Sequence, residues 1–458
     1  MRTQRLFWSL VAGLVLVLAL LMLLDVLPSA DVRAAPAATI RYVLGDGGID
    51  CSDCSDPNDP CATVQYALEQ AASGDTIRVA NKFSAAVYTE PITITKSVVL
   101  EGGWNATPIP HGLTWNRPSP CEPSRTTLDA QGAGRAITIL NADPVIDCFT
   151  ITGGDADGLG GDPSGSNAGG GIYSRDAAPI IINNVITGNY GCRTCSGGYG
   201  RGGGIYLLNA PATAVISGNL IANNVADEST WGQGGGVMLR DSDVQVLNNT
   251  IEHNRAGQIP GDGGGIAVRG GSPTIADNDV LGNVAGLAVY CHGGGIYVRS
   301  SATVTIERNL VEGNVALNGT GDAGQGGGVY YTGNPTVSAV ISGNTFRGNI
   351  AAPFGSYGEG GGIYLGGLTP SSQVSGNTLE GNVAGFNDDG NGGGLYVDES
   401  EVTVAHNRIS GNSATWAGGL GIGGGIFVNG GDVLIPVSYT HLRAHETRHD
   451  LVCRLLLE

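Results

Sequence analysis

A repeat built on glycine triplets constrains the fold of this chain more than any other feature of its sequence. Three consecutive glycines followed by an aliphatic residue occur nine times between Gly169 and Gly423, at intervals of 29 to 34 residues. Units of this length are typical of solenoids, in which each unit buries its apolar face against the next. Glycine supplies 77 of the 458 residues without a strict three-residue period, which excludes collagen.

An asparagine motif, N-x-φ-x-x-N with φ apolar, lies between successive triplets and occurs eight times. Asparagine tolerates the left-handed backbone that a sharp corner requires. Stacked asparagines can also hydrogen-bond from one unit to the next. We therefore predict two structural asparagine ladders at corners of the chain. Their members are Asn184, Asn219, Asn249, Asn278, Asn309, Asn344, Asn377 and Asn407 in one ladder, and Asn189, Asn224, Asn254, Asn283, Asn314, Asn349, Asn382 and Asn412 in the other.

The unit from Gly293 to Asn314, "GGGIYVRSSATVTIERNLVEGN", predicts three short strands and no helix. "GIYV" and "ATVTI" alternate with the two-residue period of a strand, and "LVEG" is a third short segment. Strands this short cannot each bury a face, so every unit must stack on the next. We predict an all-β fold, a single-stranded parallel β-helix over residues 169–436, with rungs about 4.8 Å apart.

These repeats resemble those of a known group. "GGGIY" together with "IEHN", "VEGN" or "FRGN" is similar to the GGA[IVL] and FxxN repeats of polymorphic outer-membrane proteins, and more broadly to right-handed parallel β-helix proteins of the pectin-lyase-like superfamily. The resemblance implies a right-handed coil. Because the group includes adhesins, passenger domains and polysaccharide-cleaving enzymes, we expect a structural or binding protein of adhesin type, with a polysaccharide lyase or glycoside hydrolase as the alternative.

The amino-terminal region predicts export and an end cap. Arg2 and Arg5 precede an apolar run, and the small residues that follow offer a cleavage site after Ala34, so we interpret residues 1–34 as a signal peptide or signal anchor. Residues 35–105 are expected to hold a cap and the first rungs, and residues 106–168 irregular early rungs. The cap would contain a short amphipathic helix. Its apolar face would be formed by Val64, Ala67, Leu68 and Ala71.

Cysteine usage agrees with an exported protein. The chain has nine cysteines, and eight remain once Cys453, which lies in the last 22 residues, is set aside. An even number of cysteines in an oxidising compartment predicts disulfides, whose pairing the sequence leaves open. The "CSDC" and "CRTC" pairs lie too far apart for a zinc ribbon. The candidate disulfide cysteines are Cys51, Cys54, Cys61, Cys121, Cys148, Cys192, Cys195 and Cys291.

Charge limits the partners that we expect. The formal net charge is −18 and the chain has only two lysines, Lys82 and Lys96, which argues against nucleic-acid binding through a basic surface. The expected partners are polysaccharides or cell-surface components. Membrane attachment would come only from the amino-terminal segment or from a carboxy-terminal anchor beyond residue 436.

Two surfaces are candidates for binding. An aromatic residue follows the aliphatic one in seven of the nine glycine motifs, and we place it on the outer side by alternation. This column could stack sugar rings, or it could stabilise its own rungs, which is the interpretation we favour. Variable loops before each triplet would form the second surface. The residues assigned to the two surfaces are Tyr173, Tyr206, Tyr297, Tyr330, Tyr364, Tyr396 and Phe427, and, in the loops, Trp231 and Trp416.

No catalytic or cofactor constellation is recognised. The NTD, GHG and RIK motifs of polygalacturonase-like proteins are absent. Asp155, Asp157 and Asp162 in an acidic glycine loop are weak calcium candidates, without the spacing of a known calcium loop. His253, His292 and His406 occur singly in different units, and we interpret each as a loop or surface residue.

The last 22 residues, 437–458, differ abruptly from the repeats. "HETRH" from His445 to His449 fits the H-E-x-x-H zinc motif. A zinc protease would require a folded domain and a further ligand, and only nine residues follow His449. "VSYTHLRAHET" and "LVCRLLLE" resemble the translated read-through of a sequencing-library adapter. We therefore reject the metalloprotease and interpret this segment as non-native.

Overall fold

The computed structural model describes residues 38–81, 86–195, 198–333, 337–355, 357–386, 389–417 and 419–436. The predicted signal segment and the adapter-like tail lie outside these ranges. Within them the chain forms a parallel β-helix, which confirms the predicted fold class. None of the described helical segments is long and apolar enough to span a bilayer.

Each repeat contributes up to five short strands, where the sequence predicted three. We number the sheets by the order of their strands within a repeat. Sheet I follows the glycine triplet, sheets II and III precede each of the two asparagines, and sheets IV and V flank the variable loop. The strands of sheets IV and V were missed because they are two or three residues long and rich in glycine and alanine, so they show no alternating pattern.

Sheets I, II and III form the coil itself. Sheet I contains Ile92–Ile94, Ile137–Leu140, Ile172–Arg175, Ile205–Leu208, Val237–Arg240, Ile266–Arg269, Ile296–Ser300, Val329–Gly333, Ile363–Gly366, Leu395–Asp398 and Ile426–Asn429. Sheet II contains Ile40–Leu44, Thr76–Asn81, Val99–Ile109, Val145–Asp147, Ile180–Ile182, Val215–Ser217, Gln245–Leu247, Thr274–Ala276, Val304–Glu307, Ala339–Ser342, Ser372–Ser375, Val402–Ala405 and Val433–Leu434, with Gly112–Asn116 paired antiparallel to Val99–Ile109. Sheet III contains Ala86–Tyr88, Thr126–Asp129, Thr150–Thr152, Val185–Thr187, Leu220–Ala222, Thr250–Glu252, Asp279–Leu281, Leu310–Glu312, Thr345–Arg347, Thr378–Glu380 and Arg408–Ser410.

Sheets IV and V carry the loops between them. Sheet IV contains Tyr190–Cys192 paired with Val225–Asp227 and, separately, Val284–Gly286, Val315–Leu317, Ile350–Ala352, Val383–Gly385 and Ser413–Thr415. Sheet V contains Asn167–Ala168, Gly200–Arg201, Gly232–Gln233, Gly261–Asp262, Tyr290–His292, Ala323–Gln325, Tyr357–Glu359, Asp389–Asn391 and Gly421–Ile422.

The core is a continuous stack of aliphatic side chains inside the coil. Equivalent residues pair in register, so Ile266 lies against Ile296 and Ile296 against Val329. All three side chains are buried. Each rung therefore buries the apolar face of the one before it, as the repeat predicted.

One α-helix, Val64–Gln70, lies near the start of the described chain. Thr63 caps it by accepting a hydrogen bond from the Tyr66 amide, and Val64, Ala67 and Leu68 are buried in the same core cluster as the rungs. The helix contacts the first strands of sheets I and II. It therefore covers apolar side chains that would otherwise face water at this end.

The asparagines line up in two continuous ladders along the coil. Each side-chain amide nitrogen donates to the amide oxygen of the next asparagine at 2.9–3.1 Å. All sixteen residues are buried. Their polar groups are satisfied by the ladder and by main-chain carbonyls, such as that of Ile251 for Asn283.

The left-handed backbone lies one residue earlier than we assigned it. In every copy the residue immediately before the ladder asparagine has positive φ, whereas the asparagine itself does not. The turn thus requires a left-handed residue followed by an amide that bonds to the next rung. The positive-φ residues are Asn183, Gly188, Gly218, Asn223, Asn248, His253, Asp277, Gly282, Arg308, Gly313, Gly343, Gly348, Gly376, Gly381, His406 and Gly411.

The glycine triplets meet two different demands. The first glycine of each triplet has positive φ, for example 70° at Gly263. At the second, a Cβ would approach main-chain atoms of the next rung too closely: at Gly264 it would lie 2.5 Å from the Gly294 oxygen. Side chains are therefore excluded at these positions by both conformation and space.

Candidate functional site

The outer surface of sheet I carries two parallel columns of side chains, which run along the coil from rung to rung. Along each strand the first and third residues point into the core, and the second and fourth point outward. The second position carries the aromatic column and the fourth carries Arg240, Arg269 and Arg299 in three successive rungs.

The aromatic column is largely buried, whereas stacking on sugar rings would require exposed aromatic faces. Tyr173, Tyr206, Tyr297, Tyr364 and Tyr396 are buried, while Tyr330 and Phe427 are partly buried. They are covered because sheet V and the loops that lead into it lie beside them. Tyr206 Oη, for example, donates at 2.7 Å to Asp162, in the loop before the first strand of sheet V. The rings lie on the outer side of the strand, as predicted, but five of the seven are buried, and a ligand-binding role for this column stays a prediction.

The rings instead stack on one another. Tyr297 and Tyr330, Tyr330 and Tyr364, and Tyr364 and Tyr396 are parallel, with centroids 4.8–5.4 Å apart. Such pairs contribute about 0.5–1.5 kcal/mol each beyond the area that they bury. Burial raises the pKa of Tyr330 to about 12, so its hydroxyl stays protonated at neutral pH.

The column is interrupted where Met238 and Ala267 replace the aromatic residue, and the arginines lie in the same rungs and the one that follows. A cleft of about 560 Å³ lies beside these arginines. It is lined by Arg240, Asp241, Arg269, Gly270, Arg299, Ser300, Ser301, Thr332 and Gly333. We call it the arginine cleft.

The arginines of the cleft are poorly neutralised. Arg240 Nε lies 3.2 Å from an Asp241 carboxylate oxygen. Among the described residues, neither Arg269 nor Arg299 has a carboxylate oxygen within 4.0 Å. Adjacent rungs are about 4.8 Å apart, so the three like charges repel one another unless an anion lies between them.

Sheet V places a polar column next to these arginines. Gln233, Asp262 and His292 occupy equivalent positions in three successive rungs. Arg269 donates to Gln233 Oε1 at 3.2 Å, Gln233 Nε2 donates to Asp262 Oδ2 at 2.7 Å, and Asp262 Oδ1 lies 2.7 Å from His292 Nδ1. A hydrogen-bonded chain thus joins the arginine cleft to a histidine.

We interpreted His292 as a loop or surface residue, whereas it ends a short strand of sheet V and has an acidic partner. Its partner, Asp262, is 30 residues away in the chain and one rung away in space. Sequence analysis also missed the arginines. The signal that could have found them is the recurrence of "MLR", "AVR" and "YVR" directly after three consecutive triplets.

Most of the variable loops connect a strand of sheet IV to a strand of sheet V, so these loops lie along one side of the coil. Several apolar rings are exposed there: Trp416 is 63% exposed and Phe354 58%. Trp416 stacks in parallel on Phe386 at 5.7 Å, whereas Trp231 packs edge-on against Tyr199 at 5.1 Å. Binding at this side stays a prediction.

The calcium candidates do not converge. Asp162 is turned toward Arg201, Ser164 and Tyr206. Burial would raise the pKa of Asp162, but those partners outweigh burial and lower it. Asp155 faces Arg193, and Asp157 accepts from the Thr194 amide. Within the described ranges, the three aspartates form no common set of ligands for a metal ion.

One group does bring metal-ligating atoms within 4.8 Å of one another: Cys192, Cys195 and Asp227. The two cysteines form a disulfide. Both carboxylate oxygens of Asp227 accept hydrogen bonds from the Gly200, Ser229 and Thr230 amides and the Thr230 hydroxyl. The aspartate therefore anchors its own loop and has little capacity left for a cation.

The other cysteines are only partly paired. Disulfides join Cys54 to Cys61 and Cys121 to Cys148. Cys51 is exposed and Cys291 buried, and neither is bonded to another described cysteine. Burial raises the pKa of the Cys291 thiol to about 12, so it remains protonated. The structure thus pairs six of the eight candidate cysteines.

Fold and surface together define the class as an extended parallel β-helix with a basic cleft on one outer face. A model of the right-handed beta helix region matches residues 131–441, more than half of the chain, and the chain belongs to this family. The predicted right-handed coil is thereby confirmed. No protein with a curated description matches the chain in sequence.

Solved structures share the fold at low identity. The chain is similar to XylC, solved in complex with xylose, at 10% identity and a TM-score of 0.36, with 82% of this chain and 70% of that one covered. It is similar to the Dettilon tailspike protein at 14% identity and a TM-score of 0.35, with 83% and 68% covered. A GH136 lacto-N-biosidase from Eubacterium ramulus matches at 10% identity and a TM-score of 0.26, with 88% and 68% covered.

Proposed function

We propose that this protein is an exported, extracellular or cell-surface β-helix that binds an acidic polysaccharide in the arginine cleft. The observation that carries the proposal is the in-register column of Arg240, Arg269 and Arg299 in a chain whose formal net charge is −18. Two of these guanidinium groups have no carboxylate within 4.0 Å among the described residues.

The donor set suits a polymer with carboxylate or sulfate groups. A guanidinium can bind either group through two parallel hydrogen bonds. Ser300, Ser301 and Thr332, which also line the cleft, offer hydroxyls to the neutral hydroxyls of a sugar. The three arginines lie one per rung in successive rungs, which fits a ligand that is itself a repeating chain.

The first test is binding to immobilised polymers. Polygalacturonate, alginate and hyaluronan carry carboxylates, dextran sulfate carries sulfates, and dextran is the neutral control. We expect retention by at least one acidic polymer and not by dextran, weakening as salt is added. Retention by carboxylated but not sulfated polymers, or the reverse, would identify the anionic group.

The second test locates the site. The double variant Arg269→Gln, Arg299→Gln should lose about 10-fold or more in affinity, because each charged hydrogen bond contributes about 1.5–3 kcal/mol. Arg347→Gln is a matched control, since Arg347 is exposed on sheet III and paired with Glu312. Equal losses of affinity in the double variant and in Arg347→Gln would show that binding depends on overall charge and would overturn the proposed site.

A further inference from the structure

The "CRTC" segment is a motif that the arginine cleft does not use. We propose that the disulfide Cys192–Cys195 is redox-active and exchanges two electrons with an external dithiol, whereas the disulfides Cys54–Cys61 and Cys121–Cys148 are structural. None of these cysteines lines the arginine cleft. The redox activity and the binding of a polysaccharide are therefore independent, and either can fail without the other.

The spacing of the two cysteines argues against a purely structural bond. A disulfide stabilises a fold more when it closes a longer stretch of chain, because it restricts the unfolded chain more. The sequence separation is 3 for Cys192–Cys195, 7 for Cys54–Cys61 and 27 for Cys121–Cys148. C-x-x-C is also the spacing found in thiol–disulfide oxidoreductases. The disulfide that contributes least to folding is therefore the one with the redox spacing.

The two sulfurs of this disulfide differ in exposure. Cys192 is buried at the end of the strand Tyr190–Cys192, whereas Cys195 is partly exposed in the loop that follows. A thiolate from solution therefore attacks the sulfur of Cys195, and Cys192 is the leaving group. By contrast, both cysteines of Cys54–Cys61 are buried.

Polar side chains contact the buried sulfur. Asn167 Nδ2 lies 3.4 Å from Cys192 Sγ and can donate to it, which stabilises the negative charge that leaves with this sulfur. Asp157 Oδ1 also lies 3.4 Å from Cys192 Sγ and can accept the proton of the Cys192 thiol. Among the described residues, no side chain makes a comparable polar contact with the sulfur of Cys121 or Cys148.

The exchange balances with a dithiol as the only co-reactant. One thiol of the reagent loses its proton to water and bonds to Cys195 Sγ. The bond between Cys195 and Cys192 breaks, and Cys192 Sγ leaves with the electron pair and takes up a proton. The second thiolate of the reagent then attacks the reagent's sulfur in the mixed disulfide and releases Cys195, which is protonated in turn. The protein disulfide is reduced by two electrons and the dithiol is oxidised to a cyclic disulfide.

The same groups act in the reverse direction. After Cys195 has formed a mixed disulfide with an oxidant, the thiol of Cys192 loses its proton to Asp157. The Cys192 thiolate then attacks Cys195 Sγ, the protein disulfide closes, and the thiol of the oxidant is expelled. Asp157 thus acts directly on a reacting sulfur.

A purely structural disulfide is the competing explanation, and it would open only when the surrounding fold opens. Two further cysteines report on that difference. Cys51 is exposed and Cys291 is buried, and neither is bonded to another described cysteine. An alkylating reagent should modify Cys51 at once, whereas it should modify Cys291 only in protein whose coil has opened.

The first experiment treats the folded full chain with graded dithiothreitol, blocks free thiols with iodoacetamide and quantifies each alkylated cysteine by peptide mass spectrometry. We expect Cys192–Cys195 to be reduced at least about 10-fold faster than the other two disulfides, while Cys291 stays unmodified. Reduction of all three disulfides at one rate, together with modification of Cys291, would identify a structural bond and overturn the proposal. A Cys192–Cys195 bond that outlasts the other two would overturn it as well.

The second experiment tests the proton acceptor. The reduced protein is reoxidised with cystamine, which should first form a mixed disulfide with Cys195 and then be expelled by Cys192. In Asp157→Asn this mixed disulfide should persist at least about 10-fold longer, because an amide cannot take the proton. Asp155→Asn is the matched control, since the Asp155 carboxylate faces Arg193 at 3.7 Å, and it should leave the closure unchanged.

The outcomes of the second experiment are distinct. An unchanged lifetime in Asp157→Asn, with the same melting temperature as the parent, would overturn the role of Asp157. Equal delays in Asp157→Asn and Asp155→Asn would show a general effect of charge and also overturn that role. A mixed disulfide on Cys192 in place of Cys195 would overturn the order of attack.

Discussion

At the scale of single residues, each corner of the coil has two requirements, a left-handed backbone and a side-chain amide, and two adjacent residues meet one each. The residue before each ladder asparagine takes the left-handed backbone, and the asparagine supplies the amide. Nine of the sixteen left-handed positions are glycine. Arg308, His253 and His406 show that a longer side chain is tolerated there, at a cost in conformational energy. The same division explains why the two asparagines of the motif are so regular and the residues before them vary.

Gly313 offers a direct test of this conformational cost. It has φ of 65°, and no atom would lie within 4 Å of an added Cβ. We expect Gly313→Val to lower the free energy of unfolding by about 1–2 kcal/mol, measured by denaturant titration. Gly313→Asn should be close to neutral, because asparagine tolerates this region. Equal losses for both substitutions would contradict a conformational origin.

At the scale of elements, the ladders give buried amide groups the hydrogen-bond partners that water would provide at the surface. Asn283 shows the full set: it donates to Asn314 Oδ1 at 3.0 Å and to the Ile251 carbonyl at 2.8 Å, and it accepts from the amide and side chain of Asn254. A ladder of this kind holds each rung in register with the next, because a shifted rung would leave buried amides unpaired.

We predict that Asn283→Ala lowers the free energy of unfolding by about 3 kcal/mol or more, since it leaves several buried groups without partners at about 1–3 kcal/mol each. The measurement is chemical denaturation. Asn318→Ala is the matched control, because Asn318 is exposed and its side chain makes no hydrogen bond to another described residue. A similar, small effect for both variants would mean that the ladder contributes little.

At the scale of the whole molecule, charge has opposite consequences for stability and for the proposed binding. The chain carries 41 acidic and 23 basic residues. Such an excess destabilises a compact state by self-repulsion, whereas the arginine cleft concentrates positive charge on one face. Added salt screens both effects.

We therefore expect moderate salt to raise the thermal unfolding temperature of the free protein while it weakens retention on an acidic polymer. Thermal melts and binding assays across the same salt series test this. Sucrose at matched osmolality is the control for non-ionic effects of the solute. A melting temperature that falls as salt rises would show instead that surface ion pairs dominate the stability.

The repeat alone determined the fold class and the corner asparagines, because stacking of similar units imposes one chemistry at every equivalent position. The helix near residue 64 followed from its own amphipathic pattern. Local periodicity is enough to read such a pattern. The same reasoning placed the tyrosines on the outer side of sheet I, since alternation along a strand depends only on the neighbouring residues.

Only the tertiary structure decided what surrounds those positions. A loop that leads into sheet V packs over Tyr173 and Tyr206, so these outward-facing rings are buried. The column of Arg240, Arg269 and Arg299 and the pair of Asp262 with His292 each join residues about 30 positions apart. These contacts depend on the register between rungs, because that register brings side chains from separate repeats within a few ångströms. The sequence of a single repeat does not contain this information.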